Sequence, residues 1–279
     1  MSFHLALFII VSLLCPQERA QNQRYEEGMA HLKQAGVYAQ DHRDKEALEE
    51  LQKAYELLPP SYNLAMMLGE AYLQSGDPKA VEVLQKAVAM RSTVESHILL
   101  GQAWWGRSEF QKGLDEFQRA VRLDPKSAEA QLRTGYAYYL LGNTILAKRY
   151  LTAALKLDPD LPLANLSMGH LLAGEGAWEE AIPLLEKYAG LRPNDFEVRL
   201  KLGQIYLDHR QYDKALVQLQ QAERLAPQEK RIQYVLGKLY SAEGKTDLAK
   251  QAFAKFSELE AAEQERSRLK GEPYIQRTK

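Results

Sequence analysis

The sequence predicts an all-α fold, in which helical hairpins repeat along the chain and stack as a solenoid. Three observations predict it. Gly101, Gly135, Gly169, Gly203 and Gly237 stand 34 residues apart, and Pro125, Pro159, Pro193 and Pro227 keep the same step. Three residues after each glycine comes an aromatic residue or Leu (Trp104, Tyr138, Leu172, Tyr206, Tyr240). Twelve after it comes a small residue (Gly113, Ala147, Ala181, Ala215, Ala249). A fixed period of this length marks a structural unit that cannot bury its own apolar face and must stack on copies of itself.

The stretch 196–229 shows what one unit is. Leu202, Gly203 and Tyr206 share the apolar face of a first helix, while Ala215, Leu219 and Ala222 share that of a second. Pro227 ends the second helix, because it lacks a donor and clashes with the preceding turn. Gly or Ala in the first helix is expected to face Ala or Gly in the second, so that the backbones approach closely. Ala54, Ala87, Ala120, Ala154 and Ala222 leave room for the next unit, whereas Tyr188 and Phe256 replace that alanine and predict wider or differently angled junctions.

These columns resemble the tetratricopeptide repeat family. The match covers 28–263 as seven repeats: 28–61, 62–93, 94–127, 128–161, 162–195, 196–229 and 230–263. The resemblance implies a right-handed superhelix of about seven hairpins, non-catalytic and built to bind protein. The family's first-helix tryptophan is replaced by Gln131, Asn165, Arg199 and Gln233.

Taken in order, the chain opens with an apolar run, Leu5 to Cys15, followed by the polar PQERAQNQR. Residues 1–20 therefore read as a signal peptide or as a membrane or lipid anchor, and localisation as exported: periplasmic, secreted or membrane-anchored. Cleavage after Ala20, acylation of Cys15 and an uncleaved anchor stay open. No Lys or Arg precedes the run, and Leu14 departs from a lipoprotein box. A polar linker is expected over 21–27, with the first helix entered near Tyr25.

Repeat one places Ala35 in the glycine column, with Tyr38, Ala47, Leu51, Ala54 and Pro59 following. Repeat two is two residues short, since Gly69 to Gly101 is 32 residues. In repeat five, Pro162 falls at a helix start, where it is tolerated, and Pro183 is expected to kink the second helix. Residues 264–279 read as the end of a capping helix and a polar tail.

Composition narrows the function. Lys plus Arg is 36 and Asp plus Glu is 37 in 279 residues, so no basic field favours nucleic acid. Cys15 is the single cysteine, which leaves no thiolate metal site within the repeats. No HExxH, GxSxG or phosphate-binding glycine loop occurs, and no catalytic residue, metal or cofactor is expected. Charged residues on such helices read as a solvated outer face.

The resemblance places partner peptides in a concave groove lined by first helices. Positions i, i+4 and i+7 share that face: Ile98, Gln102 and Trp105; Leu132, Tyr136 and Tyr139; Leu166, His170 and Ala173; Leu200, Gln204 and Leu207. The expected site is a ladder of apolar rungs with Gln102, His170 and Gln204 as its polar positions. Leu32, Gly36, Ile98 and Gln102 occupy positions where some members carry a carboxylate clamp, so chaperone-tail binding of that kind is not expected. Two alternatives accompany the peptide-binding scaffold: an envelope-complex assembly lipoprotein, and a carrier of an apolar small molecule.

Overall fold

A computed structural model describes residues 16–270, with side chains from Ala20 onward. The expectations for Leu5 to Cys15, including a lipidated Cys15, lie outside the described residues. Among the described residues, the structure is helix and turn with no strand. The chain divides into two units, Met1–Leu141 and Gly142–Lys279.

The first unit holds α1 (Pro16–Gln40), α2 (Asp44–Leu57), α3 (Tyr62–Ser75), α4 (Ala80–Met90), α5 (Val94–Gly106), α6 (Phe110–Leu123) and α7 (Ala128–Leu140). The second holds α8 (Thr144–Leu157), α9 (Pro162–Gly174), α10 (Trp178–Leu191), α11 (Phe196–Asp208), α12 (Tyr212–Leu225), α13 (Lys230–Ala242) and α14 (Thr246–Lys270). Within each unit consecutive helices pair as hairpins, as in α5 with α6 and α11 with α12.

Short-range chemistry sets the helix starts. Ser61, Thr93, Ser127, Asp195 and Glu229 each accept a hydrogen bond from a backbone N–H of the helix they precede, satisfying donors that have no intrahelical partner. Helix α9 begins instead with Pro162, whose missing donor costs nothing there.

The hairpin turns share a second device. Gly76, Gly142, Gly176 and Gly244 have φ between 71° and 79°, and His42, Ser108 and Arg210 adopt the same left-handed conformation at equivalent turns. The following residue then donates back to the aromatic column: Asp77 to the Tyr72 carbonyl, Glu109 to Trp104 and Gln211 to Tyr206. This closes the first helix as a Schellman turn does.

The repeated glycines admit a large side chain. A Cβ on Gly101 would lie 2.5 Å from Phe117, and Gly69, Gly169 and Gly237 meet Leu84, Leu185 and Phe253 in the same way. Backbone proximity contributes as well, since the Gly113 carbonyl oxygen would be 3.0 Å from that Cβ of Gly101. In these four hairpins a glycine of the first helix is covered by a Leu or Phe of its partner helix.

Three expectations need correction or refinement. Residues 21–27 are not a linker but lie inside α1, which runs unbroken from Pro16. Proline at a helix start followed by Gln, Glu, Arg and Asn has no breaker until Gly28. Pro183 lies inside α10, which continues through it from Trp178 to Leu191. Pro183 and Glu179, whose carbonyl loses its donor, are both exposed, so solvent can reach that carbonyl. Tyr188 is half-buried and donates its hydroxyl to Asp195 Oδ2 at 2.6 Å, tying α10 to the cap of α11.

The column that lacks tryptophan has taken up a polar role. Gln131 Nε2 donates to the Pro125 carbonyl, Asn165 Nδ2 to that of Pro159, and Arg199 Nη2 to that of Pro193. Each side chain reaches back six residues and satisfies the loop carbonyl of the proline that ended the preceding helix.

Candidate functional site

In the first unit the expected inner face falls on α5 and α7. Gln102, Trp105, Phe117, Arg133, Tyr136 and Ala137 line a cleft of about 180 Å³. The Tyr136 and Tyr139 rings stack with centroids 6.3 Å apart. Trp105 is half-buried, edge-on to Phe110 at 5.0 Å and tilted against Phe117 at 6.4 Å. A Cβ on Gly113 would overlap the indole, so glycine at that position is what lets Trp105 lie down on α6. Its Nε1 is buried without a hydrogen-bond partner.

The cleft has one polar edge. With its amide oriented oxygen-first, Gln102 accepts from Arg133 Nε, Nη1 and Nη2 at 3.1 to 3.3 Å. Arg133 Nε also donates to Glu129 Oε1 at 2.6 Å. The guanidinium is thus held by Gln102 of α5 and Glu129 of α7. A planar, always-charged group in this position can meet a carboxylate or carbonyl with two parallel donors.

The apolar rungs do not all face solvent. Ile98, Leu132, Leu200 and Leu207 are each less than a tenth exposed. Ile98 packs with Ala120 and Ala130, while Leu200 and Leu207 belong to the core of the second unit. Periodicity gives the correct helix face for these residues, but depth along that face makes them core and not ligand-facing surface. Trp105, Gln102, Tyr136 and Tyr139 are the predicted residues of the first unit that the structure leaves half-exposed.

In the second unit Leu166, His170 and Ala173 are half-buried on α9, and Gln204 on α11. Burial lowers the His170 pKa, the positive Lys201 lowers it further, and Asp195 opposes both. His170 therefore favours the neutral imidazole, able to donate from one nitrogen and accept at the other. Phe117, Arg133 and Ala137 complete the cleft of the first unit, and sequence reasoning misses all three: by pattern Phe117 is hairpin core and Arg133 is outer-face charge.

Among the described residues no helix is long and apolar enough to cross a membrane.

Comparison with known proteins agrees with this architecture. Family models described as Tetratricopeptide repeat match residues 66–128, 98–144, 132–196, 172–239 and 230–263. Superkiller protein 3 of Schizosaccharomyces pombe is 26% identical over 174 residues, which is 59% of this chain and 12% of that protein. The human DnaJ homolog subfamily C member 3 is 29% identical over 108 residues, 39% of this chain and 21% of that one. The chain thus spans only a small part of the curated relatives it matches. Among solved structures, Pseudomonas aeruginosa pilF superposes with a TM-score of 0.64 at 22% identity, covering 79% of this chain and 99% of that one. A tetratricopeptide repeat protein from Parabacteroides merdae superposes with a TM-score of 0.60 at 18% identity, covering 85% and 93%. The repeat models span 66–263 without a gap, and the helical hairpins carry the same period: the chain belongs to the tetratricopeptide repeat family.

Proposed function

We propose that this chain is a protein-interaction scaffold whose α5–α7 cleft takes a peptide segment of a partner protein. Tetratricopeptide repeat proteins generally mediate protein–protein interactions. The observation that carries the finer reading is the aromatic cleft itself. Trp105 and Tyr136 wall a space of about 180 Å³, beside a guanidinium fixed by Gln102 and Glu129. Aromatic walls offer large contact area at little entropic cost, and residues of this kind dominate interface energetics. Arg133 at the edge supplies orientation, by pairing with a carboxylate or backbone carbonyl of the segment.

A photo-reactive group at Tyr136, used in cells, tests this. The expected outcome is one dominant crosslinked protein, lost when Trp105 and Tyr139 are changed to Ala. Capture from Lys148 on the outer face, with none from Tyr136, moves the binding surface away from the cleft. Truncating one anchoring aromatic costs about 2 kcal/mol or more, roughly thirtyfold in affinity.

A second reading, an apolar small molecule, has its own support. Ala35, Gly36, Leu48, Leu51, Met67 and Ala71 help line a pocket of about 390 Å³, within the usual range of ligand sites. Native mass spectrometry of the purified protein decides this reading by the presence or absence of a bound lipid-sized mass. The export reading, and with it the assembly-lipoprotein alternative, rests on Leu5 to Cys15, and N-terminal sequencing with intact mass of the protein from its native compartment checks both.

A further inference from the structure

In the column where the family carries tryptophan, the third repeat departs from the Gln131, Asn165, Arg199 and Gln233 of repeats four to seven. His97 stands there, buried, with Nδ1 2.6 Å from Glu116 Oε2 and Nε2 2.8 Å from Ser92 Oγ. Neutral imidazole satisfies both contacts in one tautomer, in which Nδ1–H donates to the carboxylate and the Ser92 hydroxyl donates to Nε2. The second carboxylate oxygen of Glu116 accepts from Arg119 Nη1 at 2.7 Å, which fixes its orientation. Side-chain exposure is 6% for His97 and 9% for Glu116, whereas Ser92 is exposed on the α4–α5 loop.

That loop is held in place from both sides. Arg91 lies over the Tyr62 ring at 4.4 Å, and the Tyr62 hydroxyl meets Thr93 Oγ1 at 2.8 Å. Thr93 and Ser96 form a reciprocal capping box at the start of α5, one residue after Ser92. Ser92, His97 and Glu116 are thus set by three elements: the pinned loop, α5 and α6.

The first repeat provides an internal comparison. His31 Nδ1 contacts Glu50 Oε2 at 2.5 Å, the same column pair nineteen residues apart. Five residues before His31 stands Glu26, where the third repeat has Ser92. The histidine–carboxylate pair therefore recurs as architecture, and the third repeat adds a hydroxyl to it.

We infer that Ser92 is an activated nucleophile that accepts acyl groups from small activated esters, with His97 as its base and Glu116 orienting His97. The Ser92 oxygen bonds to the acyl carbon as the bond from that carbon to the leaving oxygen breaks. The hydroxyl proton passes to His97 Nε2 and then to the departing alkoxide or phenoxide, leaving O-acyl-Ser92 and a free alcohol or phenol. The arrangement is the geometric requirement for nucleophile activation by a neighbouring base. Ser92 stands on an open loop, so the substrate class is small reagents with good leaving groups. This site is independent of the α5–α7 cleft.

The test uses the full chain with p-nitrophenyl acetate, mapping acetylated peptides with time. Ser108, exposed on another loop, is the reference serine. The expected result is Ser92 acetylation on the order of 100-fold faster than at Ser108, the usual scale of general-base assistance. Ser92→Ala, checked for folding by circular dichroism, removes the p-nitrophenol released by Ser92 acetylation. His97→Gln, checked for folding by circular dichroism, brings the Ser92 rate down to that of Ser108. Should His97→Gln not fold, His97→Asn, checked in the same way, takes its place. Equal labelling of Ser92 and Ser108, or an undiminished rate in a folded His97 variant, overturns the assignment.

Discussion

Gly203 on α11 faces Leu219 on α12 so closely that a Cβ on the glycine would stand 2.6 Å from the leucine Cγ. Leu219 is fully buried, and its Cγ is a branch point with no freedom to swing aside. Gly203→Ala is expected to destabilise the protein by about 1–3 kcal/mol, the usual cost of overpacking a dense core. A urea titration followed by circular dichroism measures it. An unchanged midpoint would mean that the hairpin can open at no cost.

Ala215 occupies the facing position on α12 and is fully buried. Ala215→Leu inserts three carbons where the helices touch and is expected to cost about 1–3 kcal/mol by the same mechanism. A variant with wild-type thermal stability would place α12 in another register.

Arg210 sits at φ 56° in a turn where the equivalent residues Gly76, Gly176 and Gly244 supply the same conformation without a Cβ. A left-handed residue with a side chain costs about 1–2 kcal/mol, part of which glycine gives back in unfolded-state entropy. Arg210→Gly is expected to raise stability by about 1 kcal/mol, read as a higher denaturation midpoint.

His170 carries a pH dependence of known sign. Burial, assisted by Lys201, lowers its folded pKa below the unfolded value near about 6.5. The folded state therefore binds fewer protons than the unfolded one. The stabilisation is present above that unfolded value and is lost as pH falls through the lowered folded pKa. His170→Gln, which cannot titrate, is expected to lose less stability than wild type between about pH 7.5 and 5. Urea midpoints at several pH values provide the comparison, and identical slopes would remove His170 as a source.

Much of the fold is legible in the sequence because a helical hairpin is a local object. The 34-residue steps of glycine and proline locate the repeats, and α3, α5, α7, α9, α11 and α13 begin at Tyr62, Val94, Ala128, Pro162, Phe196 and Lys230. Those starts follow from caps and a proline written within one or two residues of them. The left-handed turn at His42, Ser108 and Arg210 is hidden, because their side chains carry no signal of positive φ. Helix α1 is longer than its composition suggests, because polar helix formers such as Gln21 and Glu26 resemble a linker.

The amino-acid sequence by itself determined that this protein is all-α, that its unit is a hairpin of fixed period, and which residues share a first-helix face. Tertiary structure decided what that face does. It buried Ile98 and Leu132 while leaving Trp105 and Tyr136 to line a cleft, and it set Arg133 across from Gln102. It also joined Ser92, His97 and Glu116, which are up to 24 residues apart in sequence. The physical reason is one of range. Periodicity fixes the angle of a side chain about its own helix axis, whereas its depth and its partners are set by the neighbouring helix packed against it.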